Sequence, residues 1–233
     1  MLKIGNNDIG KVYLGSNKIG KAYLGSDLVY ESGSTPAPVF HTRLIFDGTA
    51  YIDTDILFPE DGSIRIYLGY ETEKKSQVLF NAGGRVYATL NSNTNTTSRA
   101  FSFAYDSSTA LISGTTRTLA WTTNVYSLFL TPKRGGIGNN STTFTKGSSR
   151  PTTGIVLGQN AAHSNTPFTG AMAYVRIYGS DAQNATSYSD LGNYTPLYTL
   201  RPCTYLGEPG MWCEETSTFY GNSAGARQLS VAD

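Results

Sequence analysis

The sequence predicts an all-β chain: an antiparallel β-sandwich of jelly-roll type, preceded by a small N-terminal β-meander. Three observations carry this. Composition is 39% hydrophobic and 12% aromatic but only 15% charged, with 25 Gly and 16 Tyr, and it lacks the Ala, Leu, Glu and Lys runs of long helices. From Val39 onward, short alternating segments recur every eight to twelve residues between polar or Gly-rich turns, the rhythm of a two-sheet domain. Before Val39 the chain nearly repeats itself every ten residues. At 233 residues it can bury a sizeable core.

The repeat aligns Leu2-Lys3-Ile4-Gly5-Asn6-Asn7-Asp8 with Val12-Tyr13-Leu14-Gly15-Ser16-Asn17-Lys18 and Ala22-Tyr23-Leu24-Gly25-Ser26-Asp27-Leu28. Alternation puts Val12 and Leu14, or Ala22 and Leu24, on one face and Tyr13 or Tyr23 on the other. Gly-Ser-Asn and Gly-Ser-Asp supply residues that tolerate left-handed turns. Each unit is expected to give about seven strand residues and a short turn, and strands so short cannot bury both faces within about thirty residues. The meander therefore needs a surface, either the following domain or another protein. Ser32-Gly33-Ser34-Thr35-Pro36-Ala37-Pro38 reads as a linker, flexible and then stiff, which favours the second. The expected organisation is a docking segment over 1–31 with Val12, Tyr13, Leu14, Ala22, Tyr23 and Leu24 as docking residues, a linker over 32–38, and a jelly roll over 39–233.

Within the jelly roll the expected strands include Thr42-Leu44-Phe46, Ile64-Ile66-Leu68, Val78-Phe80, Val86-Ala88-Leu90, Phe101-Phe103-Tyr105, Leu119-Trp121, Tyr126-Leu128-Leu130, Ile155-Leu157 and Met172-Tyr174-Arg176-Tyr178. In the last, Ala173, Val175 and Ile177 are expected to point inward. Ser180 to Leu191 reads as a helical turn or short helix, too polar to add much core. Asn91 to Arg99, Lys133 to Ser149 and Asn160 to Thr166 read as long loops, where binding residues concentrate.

Four stretches carry a family resemblance: "LIFDGTAYIDTDI" (44–56), "TGIVLGQNAA" (153–162), "FTGAMAYVRIYGSD" (168–181) and "LYTLRPCTYLGEPGMWCEETSTFYGNSAG" (197–225). In that order they resemble the laminin-G/concanavalin A-like jelly rolls of bacteriophage and prophage structural proteins. Pro202, Cys203, Gly207, Gly210, Phe219, Tyr220 and Asn222 fit the family's closing hairpin. Trp212-Cys213 departs from it, since an aromatic followed by Asp is usual there, and Gly225 falls one residue late. The resemblance spans about 42 to 225 and implies a virion protein.

Catalytic constellations are few. The Glu-x-Asp-x-Glu string of concanavalin-like glucanases does not occur. Glu71-Thr72-Glu73 places two carboxylates on one strand face, but Lys74 and Lys75 follow at once, as at a solvated strand end. His41 lies beside the linker and His163 in a polar loop, neither near a recognisable nucleophile. "RGGIGNN" (134–140) has no following Lys-Ser or Lys-Thr and reads as a hairpin tip rather than a phosphate loop. The resemblance implies that a calcium could sit at one rim, with Asp53, Asp55 and Asp106 as candidate oxygens, although their spacing resembles no dedicated loop. Cys203 and Cys213 read as two reduced core thiols, with a bridge as the alternative.

A formal net charge of +1 gives no field to steer the chain toward nucleic acid or an anionic membrane. Residues 1–30 hold no apolar core of a secretory signal, and no apolar span is long enough to cross a bilayer. The expectation is a non-enzymatic virion component, made in the host cytoplasm as part of a tail, fibre or capsid decoration, without cofactor. Its expected partners are other virion proteins, further copies of itself in a trimer, and host-surface glycans. A carbohydrate-binding receptor-binding protein is the alternative, and a divergent polysaccharide-degrading enzyme comes third.

Overall fold

The computed structural model divides the chain into two units, Met1–Ala37 and Pro38–Asp233. The residues described are six short strands within 1–31, then 36–70, 77–92, 99–106, 108–112, 126–138, 140–143, 145–159, 167–224 and 229–233.

In the first unit the ten-residue units form hairpins. Lys3–Ile4 pairs with Asn7–Asp8, Tyr13–Leu14 with Asn17–Lys18, and Lys21–Leu24 with Asp27–Glu31, all antiparallel. Each pair is its own two-stranded sheet, which corrects the expectation of one strand per unit joined in a single meander. The physical reason is the position of Gly5-Asn6, Gly15-Ser16 and Gly25-Ser26: each dipeptide falls between paired strand residues, where two-residue connections favour glycine. Val12 lies outside the described residues. Tyr13, Leu14, Ala22, Tyr23 and Leu24 are described only as strand backbone.

The second unit is an antiparallel sandwich. Its larger sheet runs Asn140–Thr143, Arg134–Ile137, Tyr126–Leu130, Ser63–Tyr70, Thr169–Tyr178, Tyr198–Tyr205, Glu208–Cys213, Thr218–Tyr220, with Arg43–Asp47, Leu229–Ala232 and Val39–Phe40 joined at its side. The six-stranded sheet runs Ser108–Ile112, Arg99–Tyr105, Val86–Ser92, Gln77–Ala82, Gly154–Leu157, Ile52–Leu57. Alternation explains most of these strands. Ile52, Ile56, Ile64, Ile66, Leu68, Ala88, Leu90, Phe101, Phe103, Leu128, Leu130, Val175 and Ile177 all join one buried cluster between the sheets, and apolar burial of this kind is the main favourable term in folding.

Three expectations need correcting. Pairing of Ser63–Tyr70 with Thr169–Tyr178 shifts register between Tyr67 and Leu68, so Tyr67 faces Tyr174 while Leu68 faces Met172. This bulge at Ala173 turns Met172 into the core, against the strict alternation expected of it. Lys133 to Ser149 is not a long loop throughout, because Arg134–Ile137 and Asn140–Thr143 pair as a hairpin. The segment after Thr169–Tyr178 forms two 3-10 turns, Ser180–Ala182 and Asp190–Asn193. It contributes more apolar burial than its polarity suggests: Ala182, Ala185 and Leu191 pack with Phe129 and Tyr178 in a second cluster, joined by Tyr188 and Tyr194. The expected strand Leu119-Trp121 lies outside the described residues.

Candidate functional site

The outer face of the larger sheet carries its most distinctive side chains. Arg65 and Tyr67 alternate with the core residues Ile64, Ile66 and Leu68, so they point away from the core. Register sets Arg65 opposite Arg176 and Tyr67 opposite Tyr174. Tyr67 and Tyr174 stack with centroids 5.7 Å apart and planes within 9°. The Arg176 guanidinium lies over the Tyr174 ring at 4.7 Å. Arg65 lies over Tyr188, Tyr178 and Tyr174 at 5.2, 5.7 and 5.9 Å, and the Tyr174 and Tyr188 hydroxyls bond each other. The cluster joins the covering segment to the sheet. Burial raises the Tyr178 phenol above its ordinary pKa, against the pull of Arg65 and Arg176. Burial and the bond to Tyr174 raise that of Tyr188.

Farther along the same sheet the surface opens. Trp212 sits between Met211 and Cys213, both in the core, and therefore points outward, opposite Arg201 and Phe219. Tyr205 joins them, with centroids 5.3 Å from Trp212 and 5.4 Å from Phe219 at tilts of 49° and 42°. All three rings are half-buried. Gly210 makes room for this arrangement, since a Cβ there would stand 2.6 Å from the Phe219 ring. Arg201 lies 4.1 Å from the Phe40 ring centroid and pairs with Glu214 at 2.8 Å. Val39 and Leu206, 60% and 68% exposed, extend the apolar surface along Val39–Phe40 and the Tyr205–Glu208 turn. Three clustered aromatic faces with a charged pair beside them can stack on the C–H face of a sugar while bonding its hydroxyls.

Other sequence candidates separate. Asp53 and Asp55 lie on the exposed side of Ile52–Leu57, where the Tyr220 hydroxyl bonds Asp55 and the Asp53 N–H donates to Ser223 Oγ at 2.8 Å. They tie the closing hairpin to the smaller sheet's edge. Asp106 is buried at a different rim, beyond Arg99–Tyr105, and burial raises its pKa despite the nearby Lys146 and Arg150. Among the described residues no group of three or more His, Cys, Asp or Glu side chains could hold a metal, so the three aspartates are not brought together.

His41 bridges two groups, its Nδ1 2.8 Å from Asp233 Oδ1 and its Nε2 3.0 Å from Thr204 Oγ1. The order carboxylate, imidazole, hydroxyl is that of a hydrolase triad. However, Thr204 lies within Tyr198–Tyr205, paired with Pro209 on one side and Val39 on the other, on a flat ladder rather than a turn that gathers backbone N–H groups. The bridge acts as a strap across strands. Glu71, Glu73 and His163 lie outside the described residues. Cys203 and Cys213 are both buried and unbridged. Cys203 faces Gly210 while Cys213 faces Leu200, so the thiols sit about 10 Å apart along the ladder, beyond disulfide reach.

Sequence reading missed the aromatic trio. Trp212 departs from the hairpin pattern and Tyr205 carries no local signal of its own, because what unites the rings is cross-strand register.

No family model matches the sequence, and no curated protein matches it. Solved structures do. A native heptameric SAP-like pentraxin from Limulus polyphemus superposes with a TM-score of 0.50 at 9% identity, over 81% of this chain and 98% of that one. A candidate carbohydrate-binding protein from Bacteroides ovatus gives 0.55 at 12% identity, over 84% and 61%. A full-length tailspike from a bacteriophage of Escherichia coli O157:H7 gives 0.44 at 10% identity, over 78% and 29%. The chain thus spans less than two thirds of the last two proteins. At these identities the likeness is one of fold: an all-β antiparallel two-sheet sandwich of the pentraxin/concanavalin A-like kind.

Proposed function

We propose that the chain is a non-enzymatic glycan-binding module carried in a bacteriophage virion. The sandwich contacts host-surface polysaccharide, and residues 1–31 dock it to other virion proteins. The observation that carries the glycan reading is the half-exposed trio of Tyr205, Trp212 and Phe219, with the Arg201–Glu214 pair beside it. A folded surface spends such rings where a partner covers them, and tilted rings flanked by charge suit a ligand that alternates C–H faces with hydroxyls. A fold shared with a candidate carbohydrate-binding protein agrees with this reading. The virion placement rests on the motif resemblance and on the three successive hairpins of the repeat, whose isolated ladders are too small to be stable alone.

Calorimetric titration with purified host-surface polysaccharide tests the binding. Trp212→Ala should weaken it at least ten-fold, about 1.4 kcal/mol, at a temperature where the variant, which loses some packing, is still folded. Equal binding by the variant, or no saturable binding by the native chain, removes the reading. Deleting residues 1–31 should leave a folded sandwich that no longer enters particles, and loss of folding would show the repeat to be part of the core instead.

A further inference from the structure

Among the described residues, the buried side-chain atoms without a hydrogen-bond partner are Arg65 Nε, Thr169 Oγ1, Arg176 Nε and Tyr178 Oη. Three of these four are donors on one face of two adjacent strands. Arg65 and Arg176 stand directly opposite each other, an arrangement that costs stability when like charges meet across a sheet. Tyr178 is fully buried and Arg65 only 8% exposed. No carboxylate is paired with either arginine among the described residues. The tyrosine rings temper the positive charge from above and below the guanidinium planes. Rings offer nothing to N–H groups lying in those planes, which need in-plane acceptors.

We infer that the Arg65, Arg176 and Tyr178 cluster receives the carboxylate of an acidic saccharide, so that the glycan bound by this sheet face is a uronate-bearing one. The inference rests on the glycan reading of the same face and names its substrate class. A guanidinium edge presents two parallel N–H groups, which match the two oxygens of a carboxylate. Arg176 is only half-buried and offers the approach. Gly192 lies against Arg65, where a Cβ would stand 3.0 Å from Nη1, so the covering segment closes that side and the carboxylate comes in over Arg176. Arg176 and Trp212 lie on strands two ladder spacings apart, about 10 Å, so one oligosaccharide can span both. Ring stacking at Trp212 and charge at Arg176 would then select different features of one chain.

The test is titration of the full chain with oligogalacturonate, with a neutral galacto-oligosaccharide of equal length, and with sodium sulfate. Expected is tighter binding of oligogalacturonate than of the neutral oligosaccharide by at least ten-fold, lost in Arg176→Gln and partly kept in Arg176→Lys, with salt weakening it. Arg176→Gln sits at a half-exposed position and keeps the chain folded; its melting profile checks this. If Arg176→Gln binds oligogalacturonate as tightly as the native chain, or the native chain prefers neither oligosaccharide, the inference falls while a Trp212-dependent neutral affinity would still stand. If sulfate binds as tightly as oligogalacturonate and with the same Arg176 dependence, the cluster holds a free anion and the saccharide assignment is overturned. If neither oligosaccharide binds and Trp212→Ala changes nothing with host polysaccharide, the glycan reading itself has failed.

Discussion

Leu191→Ala tests whether the segment from Ser180 to Tyr194 is seated on the sheet. Leu191 is fully buried in the second cluster with Phe129, Tyr178, Ala182 and Ala185. The substitution removes three carbons from that contact, about 2.4 kcal/mol at roughly 0.8 kcal/mol per buried carbon. A cavity term would add to this in a rigid core, but a two-turn surface segment can settle inward, so the expected loss is about 2–3 kcal/mol. For a domain of this size that lowers Tm by about 5–10 °C. A second readout is specific to the seat. Burial holds the Tyr178 phenol above its ordinary pKa, so uncovering it should lower its titration midpoint in phenolate absorbance, while core tyrosines such as Tyr105, whose hydroxyl donates to the Gly62 carbonyl at 2.7 Å, stay as they were. A stability loss under about 0.5 kcal/mol with an unchanged titration would refute the reasoning.

Two glycines separate crowding from dihedral strain. Gly136→Ala would put a Cβ 2.2 Å from Phe129 Cε1 and 2.9 Å from the Asn140 carbonyl oxygen, at a cost of about 1–3 kcal/mol that Phe129→Leu should relieve in part in urea denaturation. Gly84→Ala meets nothing within 4 Å but has φ +70°, so it should cost about 1–2 kcal/mol with no such rescue. Burial keeps Asp106 protonated to higher pH in the folded chain than in the unfolded one; its contribution to stability therefore falls as pH rises from the ordinary carboxylate value through the raised one. Asp106→Asn, which tolerates the backbone φ of 49°, should show a larger gain in Tm over the native chain near pH 7 than near pH 3.5. Cys203 is buried and its thiol pushed up to about 11, so a thiol reagent at neutral pH should react at the rate of unfolding, and a fast stoichiometric reaction in native buffer would contradict its placement.

Strands were legible wherever a single side-chain period decided them. Ile64, Ile66 and Leu68 or Phe101 and Phe103 announce both their strand and their buried face, because alternation is a local property of the chain. Met172 was not, because the bulge that turns it inward belongs to a pairing with Leu68, more than a hundred positions away in the sequence. The same limit hid the site. Arg65 facing Arg176, and Trp212 gathered with Tyr205 and Phe219, are products of register, which no single segment encodes. Leu191 illustrates a different limit. The stretch from Ser180 to Leu191 reads as too polar to add much core, and only the sheet face beneath it makes one leucine worth burying. In the opening repeat the period is plain but its phase is not, since two paired strands fall inside each ten-residue unit where one strand per unit is expected.

The two ends of the sandwich meet along one ladder. Arg43 pairs with Ala232 and Phe46 with Leu229, the Thr42 hydroxyl donates to the Ala232 carbonyl at 2.9 Å, and His41 holds Asp233. Tension applied between residue 42 and residue 233 would enter both strands at the same end. Antiparallel strands pulled this way part rung by rung, like a zip, rather than sharing the load in shear. The Leu229–Ala232 strand would peel at low force while the two-sheet core stayed closed, giving the module a yielding seam ahead of its rigid body.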